Sequence, residues 1–374
     1  MTKIEHAPTT TDDLISHIEA RAVVVPMQTP HRTAGGVITE SPLVLIDVTT
    51  QQGIVGHGLL FTYTTRALKS VAELVGQMGE LLHNQPLAPR ALESLLGNQF
   101  RLLGTQGLVG MALAGLDMAL WDAHTKACNT SLVKLLGGKE EPVAAYAGIG
   151  YEGAEGSARQ AREWVDQGFL AVKAKIGYPT LKEDLAVIRA IRETIGDDVE
   201  LMVDYNQCLK PQEAIQRLRK LDGEALSWVE EPTLAHDYAG HALIQQRCTT
   251  PIQCGENWWG TQDMQHAIEA GASSYMMPDV MKIGGVSGWL RAADLAQAKG
   301  ILVSSHLWPD ISAQLLNLTP TCHWLEYIDW WNPILQDPIE IKDGFAITQN
   351  RQATGTQWNE QAANQYTVYR AQSR

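Results

Sequence analysis

From residue 143 onward, short apolar runs alternate with amphipathic stretches. The runs at 143–146, 171–176, 200–206, 226–231, 252–256, 275–280, 302–306 and 323–327 predict strands, and the 3.6-residue patterns at 157–167, 181–195 and 286–299 predict helices between them. Eight strands spaced by roughly 20–30 residues, mostly with a helix in each gap, fit a parallel α/β barrel better than a sandwich. The last gap is shorter, so one outer helix is expected to be irregular.

The first 140 residues follow a different pattern. Segments 21–25, 43–49 and 54–60 predict an antiparallel meander, and 66–83, 90–97 and 107–127 predict helices. This gives an organisation of four parts. Residues 1–16 read as a polar extension, 17–140 as an α+β capping domain, 141–330 as the barrel, and 331–374 as a segment returning to the capping domain.

Within that frame the strand "AVKAKIG" at 171–177 is anomalous. Its two lysines stand at i and i+2 and therefore share one face, and burying two ammonium groups side by side is costly. The ends of the other barrel strands are also polar: Asp204 and Asn206, Glu230, Glu256, Asp279, His306 and Glu326. In a parallel barrel these ends converge on one face, where catalytic groups are built.

The convergent residues divide by charge. Asp204, Glu230 and Glu256 on three successive strands would repel one another unless a hard divalent cation joined them, and all-oxygen donors favour magnesium. Lys173 beside Lys175 is expected to lower the latter's pKa, so that it can act as a base. His306, which alone would read as a hydrogen-bonded core histidine, gains a candidate orienting carboxylate in Asp279. Glu326 is placed to donate a hydrogen bond if its site keeps it protonated. Asn206 either hydrogen-bonds a substrate hydroxyl or supports the metal ligands. Lys282 is expected to partner another site residue rather than to react itself.

Composition narrows the partners. With 29 Lys and Arg against 42 Asp and Glu the net charge is −13, which argues against a nucleic-acid partner. Five scattered cysteines without a Cys-x-x-Cys pair argue against a disulfide framework. No apolar run reaches membrane-spanning length, and the first residues lack a signal-peptide core. The expectation is a soluble cytoplasmic protein without a membrane partner.

Several motifs together resemble the enolase superfamily and, within it, the mandelate racemase subgroup. They are "AVKAKIGYP", "MVDYNQ", "WVEEPTLAHDY", "GENWWG", "MPDVMKIGGVSGW", "SSHLWPDIS", "HWLE" and, in the first domain, "GLDMALWDAHTKACNTSLVKLLGG". The resemblance spans about residue 20 to about 330. It implies a modified (β/α)7β TIM barrel, with an N-terminal α+β cap whose loops close over the substrate. It implies Mg2+ on Asp204, Glu230 and Glu256, with Mn2+ able to substitute. Lys175 would be the base on one face of the α-carbon of a small carboxylate substrate, and His306, oriented by Asp279, would be the acid/base on the other. Lys173 would touch the substrate carboxylate, and Glu326 would help to stabilise an enediolate. A homo-oligomer is also implied.

The resemblance leaves two outcomes open, racemisation of a 2-hydroxy acid or dehydration of an acid sugar to a 2-keto-3-deoxy acid. A catalytically silent scaffold is disfavoured by the intact polar set. A cycloisomerase that relies on a lysine after the sixth strand is disfavoured by the His306–Asp279 pair. Selectivity is expected from His31, Thr33, Ile38 and Tyr63 as pocket walls. Gly148 and Ile149 stand where mandelate racemase is more polar. A polar His31 facing inward would suit a hydroxylated or dianionic substrate, whereas His31 and Arg32 could instead both face solvent.

Overall fold

A computed structural model of the chain describes residues 13–33 and 36–373. The cap is built on an antiparallel sheet in which β1 (Ile15–Thr33), β2 (Gly36–Thr50) and β3 (Val55–Phe61) lie side by side and a C-terminal strand adds at the edge. Apolar runs such as "VVV" in β1 and "LVLI" in β2 supply its buried core. The expected polar extension lies outside the described residues only as far as residue 12. Ile15 is fully buried and already pairs with Thr50, so the chain is in the sheet two residues before the expected start of the cap.

Three helices cover the sheet: α1 (Thr65–Glu80), α2 (Pro89–Gln99) and α3 (Gly107–Ala127). Helix α3 approaches β3 unusually closely. A Cβ on Gly56 would stand 2.2 Å from the Ala119 carbonyl oxygen, and one on Gly58 would stand 2.3 Å from that of Gly115. Gly56 and Gly58 share a strand face, while Gly115, Ala119 and Ala123 recur every four residues along one helix face, so small residues on both sides let the backbones meet.

The barrel follows. Its strands β4 (Val143–Ile149), β5 (Ala171–Lys175), β6 (Glu200–Asp204), β7 (Val229–Glu230), β8 (Ile252–Cys254) and β9 (Tyr275–Met276) pair in parallel in chain order. At the seventh position, 302–306 forms no extended ladder. Val303 makes single parallel bridges to Met276 and to Cys322, and β10 (Leu325–Tyr327) then pairs with β4. The outer helix between these last two positions is short, Pro309–Asn317. Tyr146, Ala171, Met202 and Trp228 form a buried layer beneath the charged strand ends.

The tail does two things. Its hairpin, β11 (Ile341–Lys342) and β12 (Phe345–Ala346), pairs with the start of β4 rather than with the cap. Its last strand, β13 (Thr367–Gln372), then pairs antiparallel with β1. Among the described residues no helix is long and apolar enough to cross a membrane, and none of the five cysteines is in a disulfide.

Candidate active site

Register brings the charged strand ends together. Lys175 pairs with Asp204, and Asp204 with Glu230. Glu256 follows two residues after β8. The chain then leaves these ends through left-handed backbone at Asn206 (φ 44°), Gln207 (φ 64°) and Glu231 (φ 33°). Leu307 (φ 51°) and Trp308 (φ 45°) do the same after His306. Non-glycine residues hold such angles only where surroundings over-determine them, as they do at functional sites.

Asp204, Glu230 and Glu256 each offer an oxygen within 4.8 Å of the others. Asp204 and Glu230 are fully buried. Three carboxylates cannot share such a space as anions without a cation among them, and the donor set suits a hard divalent ion. Each ligand is also held from outside. Asn206 donates to Asp204 from its backbone N–H (2.7 Å) and its side chain (3.0 Å), and Trp228 donates to Glu230 at 3.3 Å. Asn257 donates to Glu256 at 2.9 Å.

The lysines occupy one side. Lys173 Nζ lies 2.7 Å from Glu230 Oε1 and 2.7 Å from Glu326 Oε1. Lys175 Nζ donates to Asp204 Oδ2 at 2.5 Å. The expected depression of Lys175 is not what this arrangement gives. Burial and Lys173 do push its pKa down, but Asp204 and the neighbouring glutamates outweigh them and its pKa is raised. The sequence reading counted the adjacent lysine and left out carboxylates arriving from other strands.

His306 occupies the other side. Its Nδ1 donates to Asp279 at 2.7 Å, leaving Nε2 3.3 Å from Glu256 and 3.9 Å from Glu326. Asp279 is itself fixed by the backbone N–H groups of Met281 and Lys282, which it caps. Burial opposes charging of His306, yet Glu256 and Asp279 raise its pKa. Glu326 departs from expectation as well. Although burial favours its neutral form, Lys173, His306 and the Leu307 N–H, donated at 2.9 Å, bring its pKa down to about 2. Here it is an ionised acceptor, not a protonated donor.

Above these groups lies a cavity of about 330 Å³, lined by all four expected wall residues, His31, Thr33, Ile38 and Tyr63, together with Lys175, Asn206, Glu256 and His306. Strand alternation separates the two neighbours left open by the sequence. His31 faces the cavity and stacks obliquely on Trp330, with centroids 4.9 Å apart. Arg32 points away and meets Glu152 at 3.3 Å, so it is not a wall. Burial, with help from Lys175, lowers His31 to about 4, leaving it neutral near pH 7. Phe61, Tyr151, Tyr205 and Trp330 also line the cavity, and the sequence reading missed them. The adjacent tryptophans in "YIDWWNP", just after the eighth strand, were the available signal. Gly148 on β4 pairs with Lys173, and a Cβ added there would meet no atom within 4 Å. Ile149 is buried.

Residues 156–362 match the family described as enolase C-terminal domain-like, and residues 17–137 match the mandelate racemase / muconate lactonizing enzyme N-terminal domain. The chain belongs to the enolase superfamily. Its fold is that superfamily's capping domain on an α/β barrel, and it is an enzyme of a group whose reactions begin with magnesium-assisted proton abstraction. A crystal structure of an enolase from Bradyrhizobium, complexed with magnesium and mandelic acid, is 45% identical. It superposes with a TM-score of 0.93 over 96% of this chain and 99% of that one. An L-talarate/galactarate dehydratase from Salmonella typhimurium is 29% identical over 94% of this chain and 91% of its own length. A D-galactarolactone cycloisomerase from Agrobacterium fabrum is 30% identical over 91% of this chain and 96% of its own. Superfamily relatives thus include lyases and isomerases, and magnesium is the metal that its structural neighbours hold.

Proposed function

We propose that the protein racemises an aryl 2-hydroxy acid by removing and returning its α-proton. The observation that carries this reading is the cavity itself, in which Lys175 and His306 approach one space from different sides beneath an aromatic wall. Asp204, Glu230 and Glu256 would hold the magnesium, which would supply positive charge next to the substrate carboxylate. Lys173 neutralises the same carboxylate from the β5 side. A cation on Asp204 would offset the charge that raises the Lys175 pKa, so that Lys175 takes the proton from one face of the α-carbon while His306, held by Asp279, delivers a proton to the other. The enediolate that forms between these steps carries two negative charges on one group, so nearby cations lower its energy more than they lower the substrate's.

A neutral His31 stacked on Trp330 supports an uncharged aromatic side chain rather than the second carboxylate of a diacid. The crystallised relative with mandelic acid, at 45% identity, supports the same direction. The second reading, dehydration of an acid sugar, uses the same groups, with His306 protonating a departing 3-hydroxyl. It is favoured by the dehydratase relative. Incubation with single enantiomers of mandelate and with a panel of sugar acids separates the two. Loss of optical rotation without a keto product supports racemisation, and a 2-keto-3-deoxy product from a sugar acid overturns it.

A further inference from the structure

Lys282 stands three residues after Asp279 in the motif "MPDVMKIGG". The residue is buried, with 9% of its surface exposed, and its ammonium donates to Asn257 Oδ1 at 2.7 Å. The amide of Asn257 then donates both to Glu256 Oε1 (2.9 Å) and to Glu231 Oε2 (2.8 Å). Glu231 is fully buried beside the metal-ligand trio. On its other side Lys282 Nζ stands 4.9 Å from the ring centroid of Tyr63, a cap residue in the left-handed conformation (φ 57°) that forms a wall of the substrate cavity. One ammonium thus touches the cap and, through one amide, a metal-binding carboxylate of the barrel.

We propose that Lys282 is a positioning residue that sets Glu256 for magnesium through Asn257 and ties that setting to the placement of Tyr63. With its oxygen fixed by Lys282, the Asn257 amide can present only N–H groups to the two glutamates, which fixes which way the amide is turned. Asn257 then locks the Glu256 rotamer through Oε1, while Oε2 stands 3.3 Å from His306 Nε2. The cation–π contact holds Tyr63 in an angle that its backbone alone would not favour. This inference rests on Glu256 being a metal ligand but on neither reading of the overall reaction.

The test is a calorimetric titration of the full-length protein with Mg2+ and no substrate. Lys282→Met keeps the length of the stem and removes the charge. It is expected to weaken Mg2+ binding roughly 10–100-fold, as loss of groups that orient metal ligands commonly does. Lys282→Arg, which has room in the adjoining cavity of about 550 Å³, is expected to recover most of the affinity. Asn257→Leu, which breaks the relay but keeps Lys282, is expected to match Lys282→Met, and serves as the deciding variant if Lys282→Met does not fold. Folded Lys282→Met or Asn257→Leu protein that binds Mg2+ as tightly as the native chain overturns the proposal. Glu256→Gln is the control: if it too binds Mg2+ unchanged, the ligand assignment has failed and the relay with it.

Discussion

Glu326 accepts hydrogen bonds from the Leu307 N–H and sits 2.7 Å from the Lys173 ammonium, and both contacts favour its ionised form. Glu326→Gln removes that charge from the pair with Lys173. Without that partner the Lys173 ammonium is held less firmly against the substrate carboxylate, and we expect kcat to fall by roughly 10²–10³-fold with a smaller change in KM, measured by steady-state polarimetry. His31→Phe tests the wall. Since His31 is neutral near pH 7 and stacks on Trp330, turnover of an aryl substrate should stay within about tenfold; a far larger loss would give His31 a polar contact instead. The candidate site residues were legible in the sequence because burying charge is costly, so Lys173, Asp204 or Glu326 in an apolar run demands a reason. Phe61 and Trp330 were not, because an aromatic on a pocket wall has the same sequence signature as one in a core. Nor was the direction of the Lys175 shift, which depends on Asp204 lying 2.5 Å away on another strand.

The strands differ in how well pattern predicted them. β5 and β6 are five-residue strands whose polar ends match the sequence reading, and both are buried along nearly their whole length, as parallel strands covered on both faces are. β1 was read as five residues and runs for 19, since its polar half leaves the core and extends with β2 over the barrel mouth. The apolar run at 302–306 became single bridges, because the turn through Leu307 and Trp308 aims the Leu307 N–H at Glu326 instead of extending a ladder. At β3, glycine does what no pattern of apolar residues records: it lets α3 touch the sheet backbone. Gly58→Ala should therefore destabilise the fold by about 1–3 kcal/mol, because backbone on both sides resists the added methyl. Urea unfolding monitored by circular dichroism checks this, and an unchanged midpoint would mean that α3 can move away.

Cap and barrel are joined over a broad seam. Trp308 donates to the Leu59 carbonyl at 3.1 Å, Trp121 donates to Ser287 Oγ at 2.8 Å, and Asp117 of α3 accepts the Ser287 N–H at 2.9 Å. Burial raises Asp117 from its ordinary 3.8 to about 7, against the pull of those Ser287 hydrogen bonds. A carboxyl with a raised folded pKa binds a proton more tightly in the folded chain. Its contribution to stability is complete below about 3.8 and is lost as pH rises through about 7. Asp117→Asn should flatten the fall in unfolding midpoint between about pH 4 and about pH 7; an unchanged fall would place the titration elsewhere. The seam was only partly legible, since "GLDMALWDAHTKA" announces a buried helix but not the partner that Asp117 meets. The joining of cap and barrel encloses the cavity on which the proposed reaction depends, and proton exchange at the substrate α-carbon tests that reaction directly. With magnesium, in deuterium oxide, each enantiomer of mandelate should lose its α-proton NMR signal, and removal of magnesium by a chelator should stop the loss. Lys175→Ala should abolish exchange from one enantiomer and His306→Asn from the other, whereas exchange of both enantiomers persisting in either variant would contradict the account.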